Sequence, residues 1–199
     1  MFTGIITATG TITSVERQAD GARLSFAADG LDLSNATLGD SVAVNGACLT
    51  VTEFDKHSFA ADLSRETLEC TTFGQLDAGA PVNFEPALAL GDSLGGHLVT
   101  GHVDGIGQVI SVADDGDSVL LEIEAPDEIA RYIARKGSIC VDGVSLTVNS
   151  VSGRAFGLTI VPHTQSHTII AHYQPGTRVN LEVDMIARYL ERIVQYTEG

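Results

Sequence analysis

The sequence predicts an all-β chain of two similar small domains, each a barrel or a sandwich, followed by one amphipathic helix. Three observations carry this. The octapeptide VNGACLTV (Val44–Val51) returns as VDGVSLTV (Val141–Val148). The spacing between the two copies, 97 residues (143 less 46 at the paired glycines), recurs along the chain. Short apolar or alternating runs rich in β-branched residues, punctuated by turn residues, fill both halves.

The offset is not confined to one motif. Thr3-Gly4 falls on Thr100-Gly101, Gly10 on Gly107, Ser14-Val15 on Ser111-Val112 and Ser41 on Ser138. Phe59 falls on Phe156, Thr67 on Thr164, Gly79 on Gly176, and Val82, Asn83 and Glu85 on Val179, Asn180 and Glu182. A single fixed offset from residue 3 to residue 182 identifies a tandem duplication, and two copies of this length mean two domains rather than a solenoid.

Within each copy, Asn45-Gly46 and Asp142-Gly143 are hairpin-turn signals between apolar runs. Asp20-Gly21, Asp115-Gly116, Ser152-Gly153 and Pro175-Gly176 mark further turns. A helix is expected from Pro126 to Lys136: Pro suits its first turn, Asp127 and Glu128 favour the positive end of the dipole, and Gly137 stops it. Its counterpart, Leu31 to Leu38, is weaker. Ile186, Tyr189, Leu190 and Ile193 follow i, i+3, i+4, i+7 spacing, so DMIARYLERIVQYTEG reads as an amphipathic helix that either covers a barrel or packs on copies of itself. The expected boundaries are 1–97, 98–184 and 185–199.

Bulk properties narrow the partners. A formal charge of −15 argues against a nucleic-acid backbone or an anionic membrane. No apolar run approaches the roughly 20 residues needed to span a bilayer, and MFTGIITATG lacks the marks of a signal peptide. Cys48, Cys70 and Cys140 are an odd number without framework spacing, which suits a reducing cytoplasm.

The glycine-rich segment GDSLGGHLVTGHVDG (Gly91–Gly105) permits close backbone approach to a ligand but has neither P-loop nor dinucleotide-fold order. His97 and His102 match no common metal spacing, and His163 and His167 are expected on or after a strand, so no metal site is read. Differences between paired positions say more. Ile5 becomes His102, Gly39 becomes Lys136, Asn45 becomes Asp142 and Cys48 becomes Ser145. The second copy gains a base, a cation and a carboxylate around a shared scaffold. That suits proton handling better than a nucleophile elbow, which is absent.

MFTGII, GDSVAVNGACLTV, SRETL, GGHLVTGHVDG, KGSICVDGVSLTV, PHT and VNLEVDMIARYLER together resemble the riboflavin synthase alpha-chain family over essentially the whole chain. The resemblance implies two tandem six-stranded Greek-key barrels related by internal duplication, and a C-terminal helix that assembles a homotrimer. It implies dismutation of two molecules of 6,7-dimethyl-8-ribityllumazine by four-carbon transfer, giving riboflavin and 5-amino-6-(D-ribitylamino)uracil without metal or cofactor. Lumazine synthase is a candidate partner on the same ground.

Carried over by position, one lumazine is expected at Gly4, Ile5, Ile6, Cys48, Leu49, Thr50 and Asp62, Leu63, Ser64, Arg65, Glu66 and Thr67. The second is expected at Gly101, His102, Val103, Lys136, Ser145, Leu146, Thr147 and Val161, Pro162, His163, Thr164, Gln165 and Ser166. Ser145 and Asp142 form the expected proton-relay pair, with Cys48, Ser41, His102 and Lys136 as accessory groups. The rival readings are a non-catalytic lumazine or flavin carrier of the same fold and, more distantly, a flavin-dependent oxidoreductase barrel.

Overall fold

Two closed, antiparallel, six-stranded barrels follow one another in a computed structural model that describes residues 1–197. The first is built from β1 (Ala8–Gln18), β2 (Gly21–Ala27), β3 (Ser41–Val44), β4 (Ala47–Phe54), β5 (Ser58–Ser64) and β6 (Pro81–Pro86). The second uses β7 (Gly105–Asp115), β8 (Ser118–Glu124), β9 (Ser138–Val141), β10 (Val144–Ser152), β11 (Ala155–Ile160) and β12 (Arg178–Val183). Strand order around the first barrel is β1-β2-β5-β4-β3-β6, and the second repeats it as β7-β8-β11-β10-β9-β12. Closure leaves no free sheet edge.

The duplication extends to irregularities. Register shifts between Ile12 and Ser14 and between Val51 and Glu53 return between Val109 and Ser111 and between Val148 and Ser150. Bulges bend a strand, so keeping them at equivalent positions keeps the curvature that closes each barrel. The hairpin turns also match. Asn45 and Gly46 sit at φ 44° and 77°, Asp142 and Gly143 at 43° and 84°, the paired left-handed conformations of a tight two-residue turn.

Each barrel has its own core. Phe26, Phe59, Phe73 and Phe84 pack edge-on and tilted in the first, while Ile123, Ile139, Phe156, Leu158 and Leu181 fill the second. A third, smaller cluster of Phe2, Ala43, Val99 and Cys140 lies between them. Its members are two matched pairs, so the barrels meet along a pseudo-two-fold seam. Phe2 and Val99 exchange backbone hydrogen bonds across it, at 2.8 and 3.1 Å.

Side chains reciprocate at the same seam. Asn83 Nδ2 donates to the Asp142 carbonyl and its Oδ1 accepts from Ile169 N, each at 2.8 Å. Asn180 Nδ2 donates to the Asn45 carbonyl and its Oδ1 accepts from Thr72 N, also at 2.8 Å.

The helices depart from expectation. The segment expected to be helical from Pro126 to Lys136 holds one turn, α2 (Asp127–Ala130), with Pro126 as its N-cap, followed by further turns. Leu31 to Leu38 forms turns. Two short helices follow equivalent strands instead: α1 (Arg65–Cys70), capped by Ser64, and α3 (Pro162–His167), with Pro at its first position. His163 and His167 therefore lie after a strand, as expected, but on a helix, with rings stacked 4.1 Å apart. No third ligating side chain joins them among the described residues.

The final helix, α4 (Met185–Thr197), begins where Asp184 Oδ1 accepts from Ile186 N. Glu198 and Gly199, the end of the expected 185–199 element, lie outside the described residues. α4 docks through polar groups: Glu191 bonds Arg131 at 2.7 Å and the Tyr132 hydroxyl, and Arg188 bonds Asp104 at 2.7 Å. Its apolar stripe of Ile186, Tyr189, Leu190 and Ile193 faces away, each residue at least 60% exposed. The stripe therefore does not pack on its own barrel. No helix among the described residues is long and apolar enough to cross a membrane.

Candidate active site

The two segments that precede the barrels, Thr3–Ile6 and Thr100–Val103, are anchored by equivalent buried glutamates. Glu85 Oε1 accepts from Thr3 N (2.6 Å) and Thr3 Oγ1 (2.7 Å), and its Oε2 accepts from Gly4 N (3.0 Å). Glu182 holds Thr100 N, Thr100 Oγ1 and Gly101 N at 2.7, 2.6 and 2.9 Å. Burial raises the Glu85 carboxyl above its usual range, against the pull of these donors.

Each segment then leans on the opposite barrel. The Gly4 carbonyl accepts from Ser145 N at 2.7 Å, and the Gly101 carbonyl accepts from Cys48 N at 2.9 Å. Ile6 packs on the second core and Val103 on the first. Both glycines are required. They sit at φ +75° and +80°, and a methyl on Gly4 or Gly101 would meet Ser145 Cβ or Cys48 Cβ at 2.6 Å.

This exchange regroups the expected site. A cleft of about 250 Å3 is lined by Cys48, Ser64, Glu66, Thr67 and Cys70 of the first barrel together with Gly101, His102 and Val103. Gly4 and Ile5 belong instead with Ser145 and the linker. The sequence offset pairs Gly4 with Gly101 correctly but cannot reveal that each crosses to the other barrel. The side chains of Leu49 and Leu63 are buried in the first core, leaving their backbone to face a ligand. Thr50 and Thr147 are exposed on β4 and β10, and Leu146 is half-buried against the second core.

Asp62 and Arg65 are exposed and engaged elsewhere, Asp62 with Arg23 at 3.3 Å and Arg65 with Glu69 at 2.7 Å. Val161, Pro162, His163 and Ser166 are exposed around α3, with Thr164 and Gln165 half-buried; Gln165 Nε2 donates to the Ile160 carbonyl. Ser41 lies in a separate groove with Val42, Val51, Pro86 and Leu88, away from the Cys48 cleft. Lys136 is exposed at φ 69°, a left-handed conformation that the first copy gives to Gly39 at 95°. Its amide donates to the Val148 carbonyl as Gly39 donates to Val51.

The expected Ser145–Asp142 relay does not form. Asp142 is buried at the seam, where Oδ2 accepts from the Tyr173 hydroxyl at 2.5 Å and Oδ1 from Asn180 N at 2.7 Å. Burial pushes its carboxyl up to about 7, although both donors favour the anion. Asp142 occupies the β9–β10 turn at φ 43°, with its side chain at the seam. The partner of Ser145 is His97, whose Nδ1 lies 2.7 Å from Ser145 Oγ. Burial holds the His97 imidazole below its usual value, opposed by the nearby Asp184 carboxylate. His97 Nε2 is buried without a hydrogen-bond partner among the described residues.

Gly96 makes this contact possible, since a methyl there would meet the Thr3 carbonyl at 2.1 Å and Ser145 Cβ at 2.9 Å. Sequence reading considered His97 only as a metal ligand, and the first copy has no equivalent that would have singled it out. The thiols differ: Cys48 is half-buried in the cleft, Cys70 is exposed beside it, and burial raises Cys140 well above its usual value.

The site thus presents a cleft around Cys48 and, at the matched position of the second barrel, Ser145 paired with His97. Comparisons with known proteins agree with that class. The lumazine binding domain model matches residues 3–87 and 100–184, two copies in tandem. The riboflavin synthase of Photobacterium phosphoreum is 46% identical over 98% of this chain and 89% of its own. That of Mycobacterium tuberculosis is 42% identical over 98% of both chains, and that of Bacillus subtilis 39% over 98% and 90%. A solved structure of LumP complexed with riboflavin superposes with a TM-score of 0.86 at 25% identity, covering 92% of this chain and 99% of that one. The chain is a tandem lumazine-binding barrel protein. Within that class it belongs to the riboflavin synthase family, and its activity is that of a riboflavin synthase.

Proposed function

We propose that two molecules of 6,7-dimethyl-8-ribityllumazine bind in the two unlike pockets and exchange a four-carbon unit, giving riboflavin and 5-amino-6-(D-ribitylamino)uracil. The observation that carries this is that matched positions of the two copies, each bonded to the crossing segment of the other, hold different reactive groups: Cys48 in its cleft, and Ser145 paired with His97. A reaction in which identical molecules play donor and acceptor needs related recognition and different chemistry. LumP has been solved with the same lumazine, in the same fold.

In this reading one lumazine loses a proton from its 7-methyl group, because the resulting carbanion delocalises into the ring. The other accepts a nucleophile at C7, and the two rings join and split unequally. What one ring gains the other loses, so no external oxidant or reductant is required. His97, kept neutral by burial, accepts the Ser145 hydroxyl proton at Nδ1. Cys48 and His102 serve the opposite lumazine, and Lys136, beside β10 of the second barrel, supplies a cation on the Ser145 side. Holding two rings in register supplies much of the acceleration, up to about 7–11 kcal/mol in favourable cases.

The exposed stripe on α4 supports assembly into a homotrimer, in which the first pocket of one subunit faces the second of a neighbour. We divide the chain accordingly into barrels 1–97 and 98–184 and an assembly helix 185–199. The unpaired thiols fit the cytoplasm. Lumazine synthase is the partner we would test first for association. Purified protein incubated with the lumazine alone should form one riboflavin per two lumazines consumed, and should sediment as a trimer. Tight binding without turnover would make the chain a carrier.

A further inference from the structure

The segment Thr100–Asp104 forms one wall of the Cys48 cleft through Gly101, His102 and Val103. Its first residues hang on Glu182, as their counterparts in the other copy hang on Glu85. Its far end has a second anchor with no counterpart. Arg188 Nη2, on α4, donates to the His102 carbonyl at 2.8 Å and to Asp104 Oδ2 at 2.7 Å, and lies 3.9 Å from Glu182 Oε1. Asp104 Oδ2 also accepts from Val183 N at 2.8 Å, which ties the segment to β12. In the first copy the matching positions are Gly91 for Arg188, Thr7 for Asp104 and Ile5 for His102.

Arg188 therefore joins three things: the helix, the buried Glu182 and the backbone of the residue that faces Cys48. On the same helix, Tyr189 and Leu190 are exposed, at 66% and 60%. Whatever seats that stripe also seats Arg188. Charge-assisted hydrogen bonds to a carbonyl and a carboxylate fix a loop more tightly than neutral ones do.

We propose that Arg188 is a positioning residue for the Cys48 cleft, coupling the seating of the C-terminal helix to the placement of His102. The inference rests on the proposed lumazine chemistry but concerns one contact within a single chain. Arg188 touches neither substrate nor reacting atoms and acts through the wall it holds.

The full-length chain and R188A, R188K, E191Q and L190D would be compared by three readouts. These are sedimentation, the kcat and KM split with 6,7-dimethyl-8-ribityllumazine, and the rate of iodoacetamide alkylation at Cys48 resolved by peptide mass spectrometry. E191Q weakens helix docking away from the cleft, and L190D disturbs the exposed stripe while leaving Arg188 in place. R188A should assemble like wild type, raise KM about tenfold and speed Cys48 alkylation by about the same factor, the scale of one charge-assisted bond. R188K should fall between, and E191Q should stay near wild type.

R188A indistinguishable from wild type in KM and alkylation overturns the proposal. So does R188A that dissociates and then matches L190D in every readout, since Arg188 would then act only through assembly. If wild type itself turns over as a monomer, the shared-site reading fails instead, and the alkylation comparison of R188A with E191Q still decides the role of Arg188.

Discussion

His97 Nδ1 and Ser145 Oγ lie 2.7 Å apart, joining the glycine-rich linker to the second barrel. A pair that moves one proton acts as a unit, so its members should not contribute independently. H97A and S145A should each lower kcat by about a hundredfold, the lower end of general acid–base contributions, with lumazine affinity changed far less. The double variant should be no slower than the worse single one. Steady-state kinetics on the three proteins checks this, and multiplicative losses would separate the residues.

The crossing segments make two glycines indispensable. Substituting Ala at Gly4 or Gly101 places a methyl 2.6 Å from Ser145 Cβ or Cys48 Cβ, on a backbone at positive φ. Neither backbone neighbour can yield cheaply, and such clashes cost about 2 kcal/mol or more. G4A should lose activity through displacement of Ser145, and G101A through displacement of Cys48. Both should melt lower than wild type. G39A, with open space around its Cβ, should melt higher than either despite the same sign of φ. Calorimetry on the three variants tests the ordering.

Asp142 gives the chain a pH-dependent stability. Its folded carboxyl titrates at about 7, against an ordinary 3.8, because it is buried at the seam. A raised carboxyl binds its proton more tightly when folded, so stability falls as pH rises from about 4 to 7 and the cost is fully present above 7. A shift of this size corresponds to roughly 4 kcal/mol. D142N reproduces the Asn45 of the first copy and removes the charge. Wild type should lose stability between about pH 4 and 7 by urea unfolding, and D142N should lose markedly less. Parallel curves for the two proteins would remove Asp142 as the cause.

How far the sequence foretold this depends on whether a feature is local. The strand-rich halves, both hairpin turns and the tandem duplication were legible because turn chemistry, strand alternation and the 97-residue offset are written in the residues themselves; the choice of barrel over sandwich came with the family resemblance. The crossing of Gly4 and Gly101 was not, because an offset relates two copies without saying which barrel each segment touches. His97 escaped because its partner is 48 residues away and its copy has no equivalent. Asp142 was misassigned for a related reason. Turn residue, buried seam acid and proton relay look alike in sequence, and only its bonds to Tyr173 and Asn180 decide among them. Glu85 and Glu182 left a usable signal, a carboxylate kept at one position of a buried strand in both copies.

The seam itself should hold the barrels as one cooperative unit. Asn83 and Asn180 each satisfy one buried carbonyl and one buried amide of the other half, four bonds of 2.8 Å related by the pseudo-two-fold. Cutting either side chain to Ala leaves a donor and an acceptor unpaired in an apolar seam, where each costs about 1–3 kcal/mol. N83A and N180A should therefore each lower stability by roughly 2–6 kcal/mol. N83A should hurt the Ile169 side and N180A the Thr72 side. The double variant should uncouple the barrels, and differential scanning calorimetry would then resolve two transitions where wild type gives one. A single sharp transition in the double variant would show that the Phe2–Val99 bridge and its apolar neighbours suffice to keep the halves together.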